Sequence, residues 1–169
     1  MQTIIRLIEK IVEFLNAFFD GLFGGKFQKS RQKWPYRKKD YLLSIAERKF
    51  YDILRPIAEK NNYLLFAKVR LEDLLWIPSG VEDRWSLRGR IKSRHIDFVL
   101  CDKQNIKPLL AIELDDSSHD SSDRMKRDDF IDDVFHDAGL PILHQRAKRF
   151  YNVDELSQKI NDQIRKQIL

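Results

Sequence analysis

The sequence predicts an α/β fold, a mixed β-sheet flanked by helices, with an extra amphipathic helix in front of it. Three observations carry that prediction. Two runs of alternating apolar residues, HIDFVL and PLLAIELD, are joined by a short polar turn, as in a β-hairpin. Helical spacing of apolar residues flanks them on both sides. A short apolar run, PIL, then separates the last two helical stretches. Helices and strands that alternate in this way bury their apolar faces most economically as layers.

The first element is MQTIIRLIEKIVEFLNAFFDGLFGG, residues 1–25, a helix ended by glycines. Arg6, Glu9, Lys10, Glu13, Asn16 and Asp20 recur at spacings of three and four and form one polar stripe. Ile4, Leu7, Ile8, Ile11, Leu15 and Phe18 belong to the wide apolar remainder. Charges at Arg6, Glu9, Lys10 and Glu13 argue against a membrane-spanning helix, and acids within the apolar part argue against a secretory signal. Three readings stay open: a helix lying in a membrane surface, a contact with a partner protein or a second copy of the chain, and a helix docked on its own domain. Residues 26–40 form a basic linker, KFQKSRQKWPYRKK, with no acid before Asp40. Anionic lipid and nucleic acid attract such a run alike, and a solubilising linker also explains it.

The domain at 41–169 begins with a helix over Leu42 to Glu59, where Leu43, Glu47, Phe50, Leu54 and Ile57 share one line. Pro56 is expected to kink or shorten its last turn. Asn61 and Asn62 make a turn into a strand from Tyr63 to Val69. Leu71 to Ile77 reads as either a short helix or a strand, closed by Pro78-Ser79-Gly80. Lys92 to Cys101 and Pro108 to Asp115 are the hairpin strands. A helix from about Arg124 stops at Gly139, Pro141 to Gln145 is a short strand, and Val153 to Ile168 is the last helix, with Asp154 and Glu155 in its first turn.

With 169 residues the chain supports one well-filled core. Hydrophobic residues at 43% and charged residues at 34% exclude a disordered chain. The net charge of +5 permits phosphate attraction without demanding it. Cys101 is the single cysteine, so there is no internal disulfide. That fits a reducing compartment, and a cytoplasmic location is expected, with attachment to the cytoplasmic face of the inner membrane as one outcome of the first helix.

The chemistry gathers in the hairpin. Alternation in LLAIELDD puts Glu113 and Asp115 on one face with Ala111, and Leu110, Ile112 and Leu114 on the other. Two carboxylates on one side of an apolar strand carry a desolvation penalty, which a divalent cation relieves. The bland alternative is a strand that simply emerges into solvent. Asp97, set between Ile96 and Phe98 in the paired strand, adds a third acid. Glu47 lies on the packed line of the first domain helix, and Arg127, three before Phe130 and seven before Val134, on the packed line of another. Either forms a structural salt bridge, extends a metal shell or holds a phosphate. His119, in the loop DDSSHDSSD, suits general acid–base work or a hydrogen bond to a ligand carboxylate. His136 and His144 have no comparable setting, and His95 shares a face with Asp97 without a clear role.

Asp97, Glu113 and Glu47 resemble the signature of the PD-(D/E)xK nuclease superfamily. Its members have a restriction-endonuclease-like core with an acid in one strand, then an acid, any residue and a lysine in the next. Asp97 matches the first acid, Glu113 the second, and Glu47 the acid many members carry on the preceding helix. Asp115 stands where the superfamily has lysine. More closely, AERKFYDIL, HIDFVL, AIELDDSSHD, the RxxRD pattern at Arg124, Arg127 and Asp128, and GLPIL resemble DUF2726, a bacterial domain family of unknown function, over about 125 residues.

The resemblance implies Mg²⁺ or Mn²⁺ held by Asp97, Glu113, Asp115 and Glu47, and in-line attack of water on a phosphodiester of DNA. Lys126, Lys68 or His119 would replace the lysine, with Arg127, Arg124 and Asp128 near the substrate. Should nothing replace it, the fold binds nucleic acid or protein without cutting.

Overall fold

The structure, a computed structural model, describes residues 2–23, 33–115 and 122–166. It divides into two compact units, 1–40 and 41–169. The first contains helix α1, Gln2–Phe23. Among its described side chains the apolar ones are exposed, including Ile8, Ile11, Phe14, Leu15 and Phe18, and Phe14 stacks on Phe18. Among the described residues, no helix is long and apolar enough to cross a membrane.

The second unit is a four-stranded mixed sheet flanked by helices, as predicted. Helix α2 spans Ile45–Lys60. Ser44 caps it: its Oγ accepts from Glu47 N, while Glu47 Oε2 accepts from Ser44 N at 2.9 Å. This reciprocal capping box satisfies backbone donors that a helix start otherwise leaves open. Replacing Ser44 by alanine is expected to cost about 1 kcal/mol in urea denaturation. The helix runs on through Pro56 to Lys60. Burial of Ile57 and Ala58 beyond the proline holds the last turn on the core.

Strands β1 (Tyr63–Arg70), β2 (His95–Asp102), β3 (Pro108–Asp115) and β4 (Ile142–Arg146) lie in that order across the sheet. The first two pairings are antiparallel and the β3–β4 pairing is parallel. Between β1 and β2 come two short helices, α3 (Leu71–Leu74) and α4 (Arg84–Ile91). Helix α4 has no counterpart among the elements expected from the sequence, and β2 begins at His95 rather than at Lys92. Only Leu87 and Ile91 turn an apolar face inward from α4, and Leu87 itself is only partly covered, so its helical period is faint. Helix α5 covers Ser122–Asp137 and α6 covers Val153–Lys166. Gly139, at φ +69°, ends α5 in the left-handed conformation a glycine takes without a Cβ penalty.

Two cores sandwich the sheet. On one face Phe50, Leu54 and Ile57 of α2 and Leu156, Ile160 and Ile164 of α6 cover Phe98, Leu100, Leu110 and Ile112. On the other, Leu71 of α3, Ile91 of α4 and Phe135 of α5 cover Val99, Cys101 and Ala111. Cys101 is therefore a buried core residue, its thiol pushed up to about 11 by burial and by the neighbouring charge of Asp102.

Candidate active site

The strand alternation that builds these cores breaks at one end of the sheet. Leu65 and Ala67 of β1 pack with the α2/α6 core, but Val69 packs with the opposite one. Lys68, at φ +56°, sits at the switch. Left-handed backbone is unfavourable for a residue with a Cβ, so the surroundings must hold it there. They do so through two carboxylates: Lys68 Nζ donates to Glu47 Oε1 at 2.6 Å and to Asp97 Oδ1 at 2.7 Å. The ammonium also lies 3.4 Å from His95 Nε2.

The β2–β3 ladder stops at the same level. Its register ends at Phe98↔Ile112, whereas β1–β2 continues to Arg70↔His95 and β3–β4 to Asp115↔Arg146. Past that point side chains take over from the backbone ladder. Glu113 Oε2 accepts from Asp97 N, and Asp97 Oδ2 accepts from Leu114 N, both at 3.1 Å. Asp97 and Glu113, expected as neighbours, thus meet across the gap between their strands. Asp97 is 9% exposed.

Burial and then the charge of Asp97 push Glu113 up to about 7. The hydrogen bond from Asp97 N and the charges of His144 and Lys68 oppose that rise without cancelling it. Lys68 behaves conversely. Burial disfavours its charge, but hydrogen bonds to Asp97 and Glu47 outweigh burial and hold its pKa above the usual lysine value. Burial likewise opposes the charge of Glu47, and the bonds from Lys68 and Ser44 hold its carboxyl below the usual range.

His144 is the residue the sequence reading passed over. It pairs in register with Glu113. Its Nε2 lies 2.8 Å from Asp132 Oδ1 on α5, and its Nδ1 lies 3.5 Å from Asp115 Oδ1. Burial disfavours the imidazolium, but Asp132 and then Asp115 more than compensate and raise its pKa. The only sequence signal was its alternation with Ile142 in a short strand, which says nothing of partners on another helix. Lys68 left a clearer trace, as the lone charge inside YLLFAKV.

The arrangement brings Glu47 and Asp97 together on Lys68 and Glu113 against Asp97, while Asp115 contacts His144. His119 lies outside the described residues, as do the side chains of Arg124, Lys126, Arg127 and Asp128 on the first turns of α5. Asp97 and Glu113 suit an oxygen-seeking divalent cation in chemistry, because their crowded negative charge is under-compensated. Among the described residues no three acids, histidines or cysteines are spaced to close around a metal. Lys68 instead occupies one oxygen of Asp97.

A family model described as a protein of unknown function, DUF2726, matches residues 39–164. No curated protein and no solved structure matches the chain.

Proposed function

The chain belongs to the DUF2726 family, and we propose that its domain is a metal-dependent phosphodiesterase of the restriction-endonuclease-like kind, acting on nucleic acid and on DNA first. The observation that carries the reading is the meeting of Asp97 and Glu113 where the β2–β3 ladder ends, with Glu113 pushed up to about 7. Structural acids in a strand are ordinarily paired with a cation each; here Lys68 serves Glu47 and Asp97 and leaves Glu113 under-compensated.

Asp97 and Glu113 would hold Mg²⁺ or Mn²⁺ first, with Asp115 and Glu47 as the further acids of the site. Such a cation polarises a phosphodiester oxygen and lowers the pKa of a bound water. Lys68 takes the part of the lysine that Asp115 displaces from the superfamily pattern. Its ammonium, fixed on Asp97, is a preorganised positive charge for the negative charge that develops on phosphorus-bound oxygens. His144 fixes Asp115 from one side while Asp132 orients the ring from the other.

The test is direct. Purified chain is incubated with single-stranded and duplex DNA in Mn²⁺, Mg²⁺ or chelator, while calorimetry measures Mn²⁺ binding. Cleavage that needs the metal, and Mn²⁺ binding that Asp97→Asn removes, are expected. Absence of Mn²⁺ binding at millimolar concentration would end the proposal.

A second reading has its own observation. With no set of three donors spaced for a metal among the described residues, the same fold can serve as a binding module for nucleic acid or protein. That reading requires affinity for DNA that Asp97→Asn leaves intact and no cleavage under any metal.

Exposed apolar residues on α1, next in sequence to the basic run at 26–39, support a location in the cytoplasm at the inner-membrane surface. Co-sedimentation with anionic vesicles, lost on removal of residues 1–40, is the expected result. Self-association without lipid would favour the oligomerisation reading instead.

A further inference from the structure

We propose that helix α4 and the segment before it form a binding surface for single-stranded nucleic acid. The inference rests on the phosphodiesterase reading for its purpose, not for its test. Trp76 and Trp85 are 80% and 81% exposed, an unusual state for the largest apolar side chain. Trp76 helps line an open groove of about 530 Å³ with Leu74, Pro78, Leu87, Ile91 and Phe130. A second recess lies beside it, lined by Trp76 together with Glu72, Arg84 and Arg88.

The rim is basic. From Arg84 to His95 there is no acid, and Arg84, Arg90 and Lys92 are exposed with no carboxylate partner among the described residues. Arg88 is held by Glu72 and lies 5.9 Å from the centre of the Trp85 ring. Flat apolar faces beside the exposed cations Arg84, Arg90 and Lys92 suit a chain of bases and phosphates. An anionic bilayer calls for apolar side chains projecting from a convex surface. Here many of the apolar groups line a concavity.

Helix α4 is joined to the candidate site through the chain. The chain leaves α4 through Arg94, whose carbonyl accepts from Leu71 N, and enters β2 at His95, two residues before Asp97. Arg90 stacks on Phe130 of α5 at 3.7 Å, and Asp132 of the same helix holds His144 beside Glu113. Asp132 and His144 thus approach Glu113 from the α5 side, while Glu47 of α2 reaches Lys68 and Asp97 from the other.

Anisotropy of a fluorescein-labelled oligothymidylate of about 20 nucleotides, with the full chain in chelator, tests this without cleavage. Trp76→Ala and Trp85→Ala are each expected to weaken binding about tenfold and to change duplex binding little. The double variant R84A/R90A should reduce the slope of log affinity against log salt by about 1.4, the share of two phosphate contacts on a single strand. The pair R165A/K166A on α6 is the control for bulk charge. Oligonucleotide binding unchanged in the tryptophan and arginine variants overturns the proposal, as does an equal loss in the control. Loss of anionic-vesicle binding with oligonucleotide affinity intact assigns the surface to lipid and overturns it too. A wild-type chain that binds the oligonucleotide through this groove but never cleaves it removes the phosphodiesterase reading and leaves the groove standing.

Discussion

Glu113→Gln is expected to lower Mn²⁺-dependent DNA cleavage by about three orders of magnitude, the scale of losing one electrostatic partner of a transition state. In metal-free buffer above pH 7 the same change is expected to stabilise the protein. The opposite signs come from one cause. Glu113 has a pKa of about 7 when folded, against 4.5 as its ordinary value. Between those values the unfolded chain gives up a proton that the folded one keeps, so stability falls as pH rises through the window. A shift of this size corresponds to roughly 3 kcal/mol of stability lost by pH 8.

Asp97 from β2, Lys68 from β1 and His144 from β4 act on this carboxyl. His144 adds a decline of its own, since its raised pKa gives stability that disappears as the ring deprotonates. The difference between wild type and Glu113→Gln, followed by urea denaturation from pH 4 to 8, isolates Glu113. It should widen with pH and level off above about 7.5. Saturating Mn²⁺ should stabilise wild type and leave the variant unmoved. A difference curve independent of pH would mean that Glu113 is solvated like any surface acid, and the argument for a cation would go with it.

Lys68→Met is expected to destabilise the fold by about 2 kcal/mol at pH 7, below the range for a fully buried pair because the lysine is partly solvated. The change removes the one ammonium that both Glu47 and Asp97 contact. The deficit should shrink as pH falls toward 4, where protonation relieves the unpaired acids. Divalent-metal affinity should rise, because Asp97 loses its competing partner, while cleavage falls. That split distinguishes a lysine acting in the chemistry from one that only holds the fold. A variant that cleaves at the wild-type rate would show that the superfamily lysine has no substitute on β1, and would turn attention to His119 or Lys126.

These expectations depend on features that the sequence revealed unequally. The acids at Asp97 and Glu113 were legible because a charge in an alternating apolar strand is costly, and a hairpin turn is short enough to fix which strands pair. His144 was not legible. Its partners are Asp115, on a strand that reaches it only through a parallel crossover, and Asp132 on the connecting helix. No local spacing encodes that meeting. Helix α4 escaped for a different reason: its exposed face carries arginines and a tryptophan and only Leu87 and Ile91 turn inward, so the periodic signal is weak.

The sequence by itself determined the layers, the hairpin and the alternation that sends Leu110, Ile112 and Leu114 to one core and Glu113 to the other side. These are consequences of period and burial within single elements, where every cause lies a few residues from its effect. The tertiary structure alone decided that Lys68 turns left-handed to serve two acids from different elements, and that the β2–β3 ladder ends where Asp97 meets Glu113. Electrostatic contacts of that kind depend on distances between segments far apart in the chain. Those distances exist only after the hydrophobic cores have closed.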